Sequence, residues 1–397
     1  MRYLLFIFSL LFVVFFNTAI ASSFGLEKIT TIAFMPMLIF IVFNIYTRKL
    51  RYDSESVHVI ILAVIIFIFK TALGQGYYIM YILELLMIPM LMSICFEHLT
   101  KKELTLLFRV IIILFIVECG LSIVEFILQR NIFVTELLVE IIKDWEMEGF
   151  FRSTSLYRHP LANAQIVAVL MTFIALYNFK KKRIQILLFL LGYVSLFCFS
   201  ARGATLVVSV FTVPYVIWKI NKTAQPSQKR LIKFGIFCMF CGMIYLITQT
   251  SLGGRLMNME LMDSSGGTRL SVFKFYTFYQ KTDDFLWGHP TLYLYMKEKL
   301  GAGGVENGVI ALILEFGIIF TIPMLFLLFR FQYQKLSVYI NIERWILLAV
   351  FFLIGTMNPN LSNPTQWTIW ILAYYAFRPD LQHKQDQNIT DVQLSQT

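Results

Sequence analysis

Apolar runs of about 17–25 residues, separated by short polar or basic stretches, recur along almost the whole chain. At 1.5 Å of rise per residue, a helical run of roughly that length matches the ~30 Å hydrocarbon core of a bilayer. The pattern predicts spanning helices near 3–21, 30–47, 57–73, 77–96, 105–128, 160–179, 184–201, 203–219, 232–250, 307–329, 344–361 and 364–378. Ala201-Arg202-Gly203 separates two of these runs and leaves room only for a tight reversal. The first run follows Arg2 and ends in Ala19-Ile20-Ala21, which has the look of a signal peptide. It is of span length and another run follows almost at once, so it reads as the first transmembrane helix.

Two stretches interrupt the rhythm, at about 129–159 and 251–306. In the first, Ile132, Phe133, Leu137, Leu138, Ile141, Ile142 and Trp145 recur at helical spacing opposite Glu136, Glu140, Asp144 and Glu148. That predicts an amphipathic helix at the membrane interface or over a cavity. The second is rich in glycine and polar residues and is long enough for short helices and a lid. Residues 379–397 are polar and predict a disordered cytoplasmic tail. The expected architecture is an all-α integral membrane protein, a single polytopic domain over 1–378 with about twelve transmembrane helices.

Composition agrees with lipid as the solvent. The chain is 58% hydrophobic and 15% charged, with a mean hydropathy of +0.70. Soluble domains carry about 45–50% apolar and roughly 25% charged residues. The net charge of +10 first suggests a nucleic-acid partner. Its distribution gives a simpler account. With the N-terminus inside, twenty lysines and arginines fall in the segments on the inner side, against Lys28 and Arg202 in the short outer connections. This is the positive-inside pattern. It predicts both termini in the cytoplasm, the two long loops in the periplasm, and no nucleic-acid partner. Cys95, Cys119, Cys198, Cys238 and Cys241 all lie within apolar runs and read as small packing residues. Cys238 and Cys241 form a C-x-x-C with no histidine nearby.

Candidate chemistry is sought where polar residues stand at or within the apolar runs. Arg152, Arg158 and His159 precede Pro160, which suits the first turn of a helix. The arginines could clamp phosphate in a bidentate manner or could snorkel at the interface. Arg202 sits between two spans among small residues, either facing a polar cavity or simply charging a turn. Arg269, in Gly266-Gly267-Thr268-Arg269-Leu270, reads on its own as a solvated loop residue. Glu306 precedes Asn307 at the start of the 307–329 run. It could balance a helix dipole, or act as a base if burial raises its pKa. Glu315 lies two and a half turns further on, on another face. Glu84, Glu118 and Glu125 fall within spans and read as structural residues; the last two share a face and could alternatively line a polar path or pair with Lys70 or Arg109. No phosphate-binding loop, dinucleotide fingerprint, zinc spacing or D-x-D appears, so neither metal nor cofactor is expected.

In chain order, F-R-S-T-S-L-Y-R-H-P-L-A-N-A, S-A-R-G-A, G-T-R-L, W-G-H-P and E-N-G-V-I-A-L-I-L-E-F-G-I-I resemble the pattern of the Wzy-type O-antigen polymerase and O-antigen ligase superfamily. These pieces cover about residues 150–320. Ligases usually carry histidine where this chain has Glu306, a departure that points to a polymerase of repeat units. The resemblance implies a bacterial inner-membrane glycosyltransferase that joins undecaprenyl diphosphate-linked repeat units at the periplasmic face, in O-antigen, capsule or exopolysaccharide synthesis. It implies Glu306 as base and Arg202 as the catalytic cation. Arg152, Arg158, His159, Arg269 and Asn307 would bind substrate, the arginines opposing the charge of the departing diphosphate. Partners implied are lipid-linked glycans, membrane lipid, and the chain-length regulator and flippase of the same pathway. Two alternatives remain: ligase-type transfer of finished glycan, and a flippase or exporter of lipid-linked sugars.

Overall fold

The computed structural model describes residues 1–16, 30–47, 52–75, 79–133, 151–157, 159–223, 282–289, 305 and 307–379. Among the described residues there are helices and turns and no strands. We label them α1 (2–16, ending in a π turn), α2 (Thr30–Thr47), α3 (Ser54–Ala72), α4 (Ile79–Phe96) and α5 (Lys101–Leu128). Then follow α6 (Pro160–Leu176), α7 (Lys182–Cys198), α8 (202–223, through a π turn), α9 (Thr282–Trp287) and α10 (Gly308–Phe316). The last three are α11 (Ile318–Lys335), α12 (Asn341–Met357) and α13 (Pro364–Phe377).

A helix lies on every apolar run except 232–250, which falls outside the described residues. Three of them, Ser54–Ala72, Ile79–Phe96 and Lys101–Leu128, are long and apolar enough to cross a membrane. Their starts are locally encoded. Asp53 accepts the Ser56 N–H ahead of α3, and Thr100 with Glu103 forms a capping box ahead of α5. The bundle centres on α6, all of whose residues are buried, packed against α5, α7, α12 and α13. Trp367, Trp370 and Phe351 fill the space around it, Trp370 meeting the helix's own Phe173. Large apolar side chains such as Ile127, Leu187, Leu206 and Ile322 point outward instead, as a lipid solvent allows.

One end of the bundle is held by ion pairs. Arg2 reaches Glu103 at 2.8 Å and Asn44 at 3.0 Å, joining α1, α5 and α2. Lys335 lies 3.0 Å from Asp53 and 2.9 Å from Glu97, and Arg378 lies 2.6 Å from Glu97. Arg330 meets Glu55, and Lys219 meets Glu343. Burial alone would raise the Glu97 carboxyl, but Lys335 and Arg378 outweigh it and hold the group at about 2, below the ordinary 4.5. A folded-state value below the unfolded one means stability present above about 4.5 and lost as the pH falls toward about 2. Thermal melts across that range should show wild type losing its advantage over Glu97→Gln as the pH drops. Parallel curves for the two proteins would remove Glu97 as the cause.

The 307–329 run departs from expectation by being broken in two. Gly317 has φ +79° and separates α10 from α11. Three carbonyls of the last turn of α10 find donors from outside the helix. Ile313 receives the Gly317 N–H, Leu314 receives the His289 N–H at 2.9 Å, and Glu315 receives Lys70 Nζ at 3.0 Å. Lys70 also donates to the carbonyls of Trp287 (2.6 Å) and Gly288 (3.1 Å), so the ammonium of α3 pins α9 onto the break. The two backbones meet glycine to glycine: a Cβ on Gly317 would fall 2.2 Å from the Leu286 oxygen, and one on Gly288 2.3 Å from the Gly317 nitrogen. The 344–361 run also ends early. Its helix stops at Met357, and a 3₁₀ turn over Pro359–Ser362 leads into α13, whose first turn begins at Pro364 behind the Asn363 cap.

Candidate functional site

The end of the expected outer loop 129–159 does not stand off the bundle. Residues 152–156 are buried, in extended and turn conformation, between α5, α6 and α7. Non-helical backbone buried this deeply needs a partner for each amide and carbonyl. Two carboxylates of α5, seven residues apart and so on one face, supply much of what is required. Glu125 accepts the N–H of Thr154 (2.8 Å), Ser155 (2.9 Å) and Ile132 (2.9 Å). Glu118 accepts the N–H of Leu156 at 3.3 Å. Ser153 and Ser155 return hydroxyl bonds to the carbonyls of Ser122 and Glu118 in the same helix. The Ser153 N–H goes to the Cys198 carbonyl at the end of α7. Asn163 closes the segment by accepting the Tyr157 N–H and donating to the Thr154 carbonyl. Thus Glu118 and Glu125 neither line a path nor pair with Lys70 or Arg109. They hold a strip of backbone, while Lys70 serves the α10–α11 break.

That strip delivers one predicted residue, Arg152, and leads to a second, His159, at the start of α6. Arg152 is 6% exposed, and its Nε donates to the Phe199 carbonyl at 3.3 Å. Phe199 opens the three-residue reversal between α7 and α8, in which Ser200 takes φ +51°. Arg202, half-buried, starts α8 immediately afterwards, so Arg152 grips the turn that presents Arg202. His159 precedes Pro160, and its Nδ1 accepts the Leu161 N–H at 3.3 Å as the cap of α6. With Nδ1 an acceptor, a neutral ring carries its proton on Nε2. Asn307 caps α10 by accepting the N–H of Val309 and Ile310 at 3.0 and 3.1 Å.

These helix starts are tied together across α12 and α13. A Cβ on Gly308 would lie 2.2 Å from the Gly355 oxygen and 2.7 Å from that of Asn358, so only glycine lets α10 start against the end of α12. Gly203 approaches Met357, which brings the start of α8 to the same place. Asn360 donates to the Leu161 carbonyl at 3.0 Å, and Gln366 to that of Ala162 at 3.1 Å, holding the first turn of α6. The starts of α6, α8 and α10 therefore gather at the end opposite the ion pairs, each turning the positive end of its dipole that way, with the first N–H groups of α6 and α10 capped by His159 and Asn307.

Of the residues expected to act, the structure brings Arg152, His159, Arg202 and Asn307 to this end. Arg158, Arg269 and Glu306 lie outside the described residues, as do most of the amphipathic segment 131–149, most of the loop 251–306, and the tail from 380 onward. The roles of Glu118 and Glu125 as backbone acceptors, and of Asn360 and Gln366 as clamps, escaped sequence reasoning. The seven-residue spacing of the two glutamates was the one available signal. No family model, curated protein or solved structure matches this chain.

Proposed function

We propose that this protein is a metal-independent membrane glycosyltransferase that polymerises undecaprenyl diphosphate-linked oligosaccharide repeat units at the periplasmic face of a bacterial inner membrane. The observation that carries the proposal is the gathering of three helix starts with Arg152 and Arg202 at the end opposite the ion pairs. That end suits a diphosphate, whose charge calls for permanent cations and oriented N–H groups. In the reaction, the hydroxyl of one lipid-linked unit attacks the anomeric carbon of another. A new C–O bond forms, the bond to the diphosphate oxygen breaks, and the electron pair leaves with the diphosphate. Glu306, next to Asn307 at the start of α10, takes the hydroxyl proton. Arg202 opposes the charge growing on the leaving group, and direct displacement inverts the anomeric centre. Arg152 holds the reversal that carries Arg202, and Arg158, Arg269 and His159 complete the phosphate and sugar contacts.

The test is glycan length in cells lacking the protein, complemented with wild type, Glu306→Gln or Arg202→Ala. Wild type should restore polymer, and both variants should fail to do so at normal membrane levels, leaving single lipid-linked units facing the periplasm. Accumulation of units on the cytoplasmic face would make the protein a flippase. Accumulation of full-length polymer on its carrier would make it a ligase. Normal chain lengths from Arg202→Ala would end the phosphate-clamp reading.

A further inference from the structure

A second group of cations lies at the ion-paired end, away from the site above. Lys101, Lys102 and Arg109 are exposed on α5. Lys102, Leu106 and Arg109 follow the four- and three-residue steps that share one helix face, with Lys101 and Thr105 beside them. None of the three cations has a side-chain hydrogen bond or ion pair among the described residues. The acid of that first turn, Glu103, is turned inward and occupied by Arg2 and by Thr100. Together with Tyr3, Thr105 and Leu106, the three cations line a cleft of about 280 Å³.

The surroundings of this cleft are amphiphilic. Helices α1 and α5 both start at this end and are joined there by Arg2 and Glu103. Further along α5 the same face continues as exposed Ile113 and Ile116. On α1 the exposed positions are Leu4, Phe8 and Leu11, again one face. Cations at the rim and apolar side chains along two helices match a molecule with an anionic head and hydrocarbon tails. A soluble anion would use only the rim.

We propose that this cleft binds the headgroup phosphate of an anionic glycerophospholipid, with its acyl chains against the exposed apolar faces of α1 and α5. Arg109 can meet two phosphate oxygens at once, and the lysines add point charges. A zwitterionic headgroup brings its own cation toward three others and is disfavoured. The site is independent of the reaction proposed above, and requires only that the helices stand in a bilayer.

Native mass spectrometry of the full-length protein from mixed micelles tests it, with phosphatidylglycerol or phosphatidylcholine as the probe lipid. Phosphatidylglycerol should be retained in preference to phosphatidylcholine. K101Q/K102Q/R109Q should weaken its retention by about tenfold or more, since each cation near an anionic headgroup contributes comparably. Arg109→Gln alone should give a partial loss with an unchanged melting temperature, which separates the site from misfolding. The charge-matched K180Q/K181Q/R183Q protein, altered at exposed positions ahead of α7 and at its start, should behave as wild type. Equal losses in the two triple variants would overturn the proposal. So would equal retention of both lipids, or retention of free glycerol 3-phosphate as firmly as of the intact lipid.

Discussion

Glu125→Ala should destabilise the folded protein by at least about 3 kcal/mol, more than any substitution on its lipid-facing surface. The carboxylate is the sole side-chain acceptor shown for the N–H groups of Ile132, Thr154 and Ser155, and two of those three bonds are fully buried. A buried donor stripped of its partner costs roughly 1–3 kcal/mol. Alanine leaves two such donors fully buried, a third partly buried, and a void. Glu125→Gln keeps one oxygen but turns an NH₂ group toward amides, so it should fall between alanine and wild type. Ile127→Ala, two residues on and 72% exposed, is the control and should change little. Thermal unfolding of the purified proteins in nanodiscs reads the difference. If Glu125→Ala melts with Ile127→Ala, the segment 151–157 is held by something other than this carboxylate. Because that segment carries Arg152 to the reversal ahead of Arg202, the proposed function requires that loss of polymer accompany loss of stability.

Lys70→Met should have the second largest effect, again about 3 kcal/mol or more. Methionine keeps the unbranched stem, one atom shorter, and removes its donors. The ammonium has three hydrogens, and the structure gives it three carbonyls, at 2.6, 3.1 and 3.0 Å. A buried acceptor left without its donor typically costs roughly 1–3 kcal/mol. Here the carbonyls of Trp287, Gly288 and Glu315 would be stranded, and α9 would lose its tie to the break at Gly317. Thermal unfolding should show the loss, and a cysteine placed at Leu286 should become more reactive toward a soluble thiol reagent in the Lys70→Met background. Unchanged melting and unchanged labelling together would mean that the facing glycines alone secure the joint.

Much of the helical framework was legible in the sequence because its cause is local. An apolar run of fixed length between basic residues needs no knowledge of its neighbours, and Pro160 marks its helix start by chemistry confined to the first turn, whereas the starts behind Asp53 and Thr100 lie three or four residues ahead of the apolar runs at 57 and 105. The reversal at Ala201-Arg202-Gly203 was legible for the same reason. The break at Gly317 was not, because apolar residues continue on both sides and its cause is Lys70, 245 residues from the carbonyl of Glu315. The strip 151–157 reads as an outer loop, since serine, threonine and arginine are polar. Its burial depends on acids 30 and 38 residues upstream that pair with backbone rather than with any complementary side chain. For the candidate site, the residue types at Arg152, His159, Arg202 and Asn307 could be picked out one by one. Their assembly depends on contacts such as Gly308 against Gly355 and Asn360 against Leu161, which no spacing announces.

The glutamates of α5 also constrain biogenesis. The ribosome delivers α5 before the residues that satisfy it: Ser155 emerges thirty residues after Glu125. During that interval the helix must enter the bilayer with two acids whose partners do not yet exist. Insertion scales charge a central acidic residue such as aspartate about 2.5–3.5 kcal/mol, which a helix of 28 residues with a hydropathy of 2.6 can absorb. A nascent chain stopped before residue 151 should therefore insert α5 but leave Glu118 and Glu125 without their backbone partners. The same helix should lock into place once the strip folds back beneath it, so that the order of translation becomes the order of assembly.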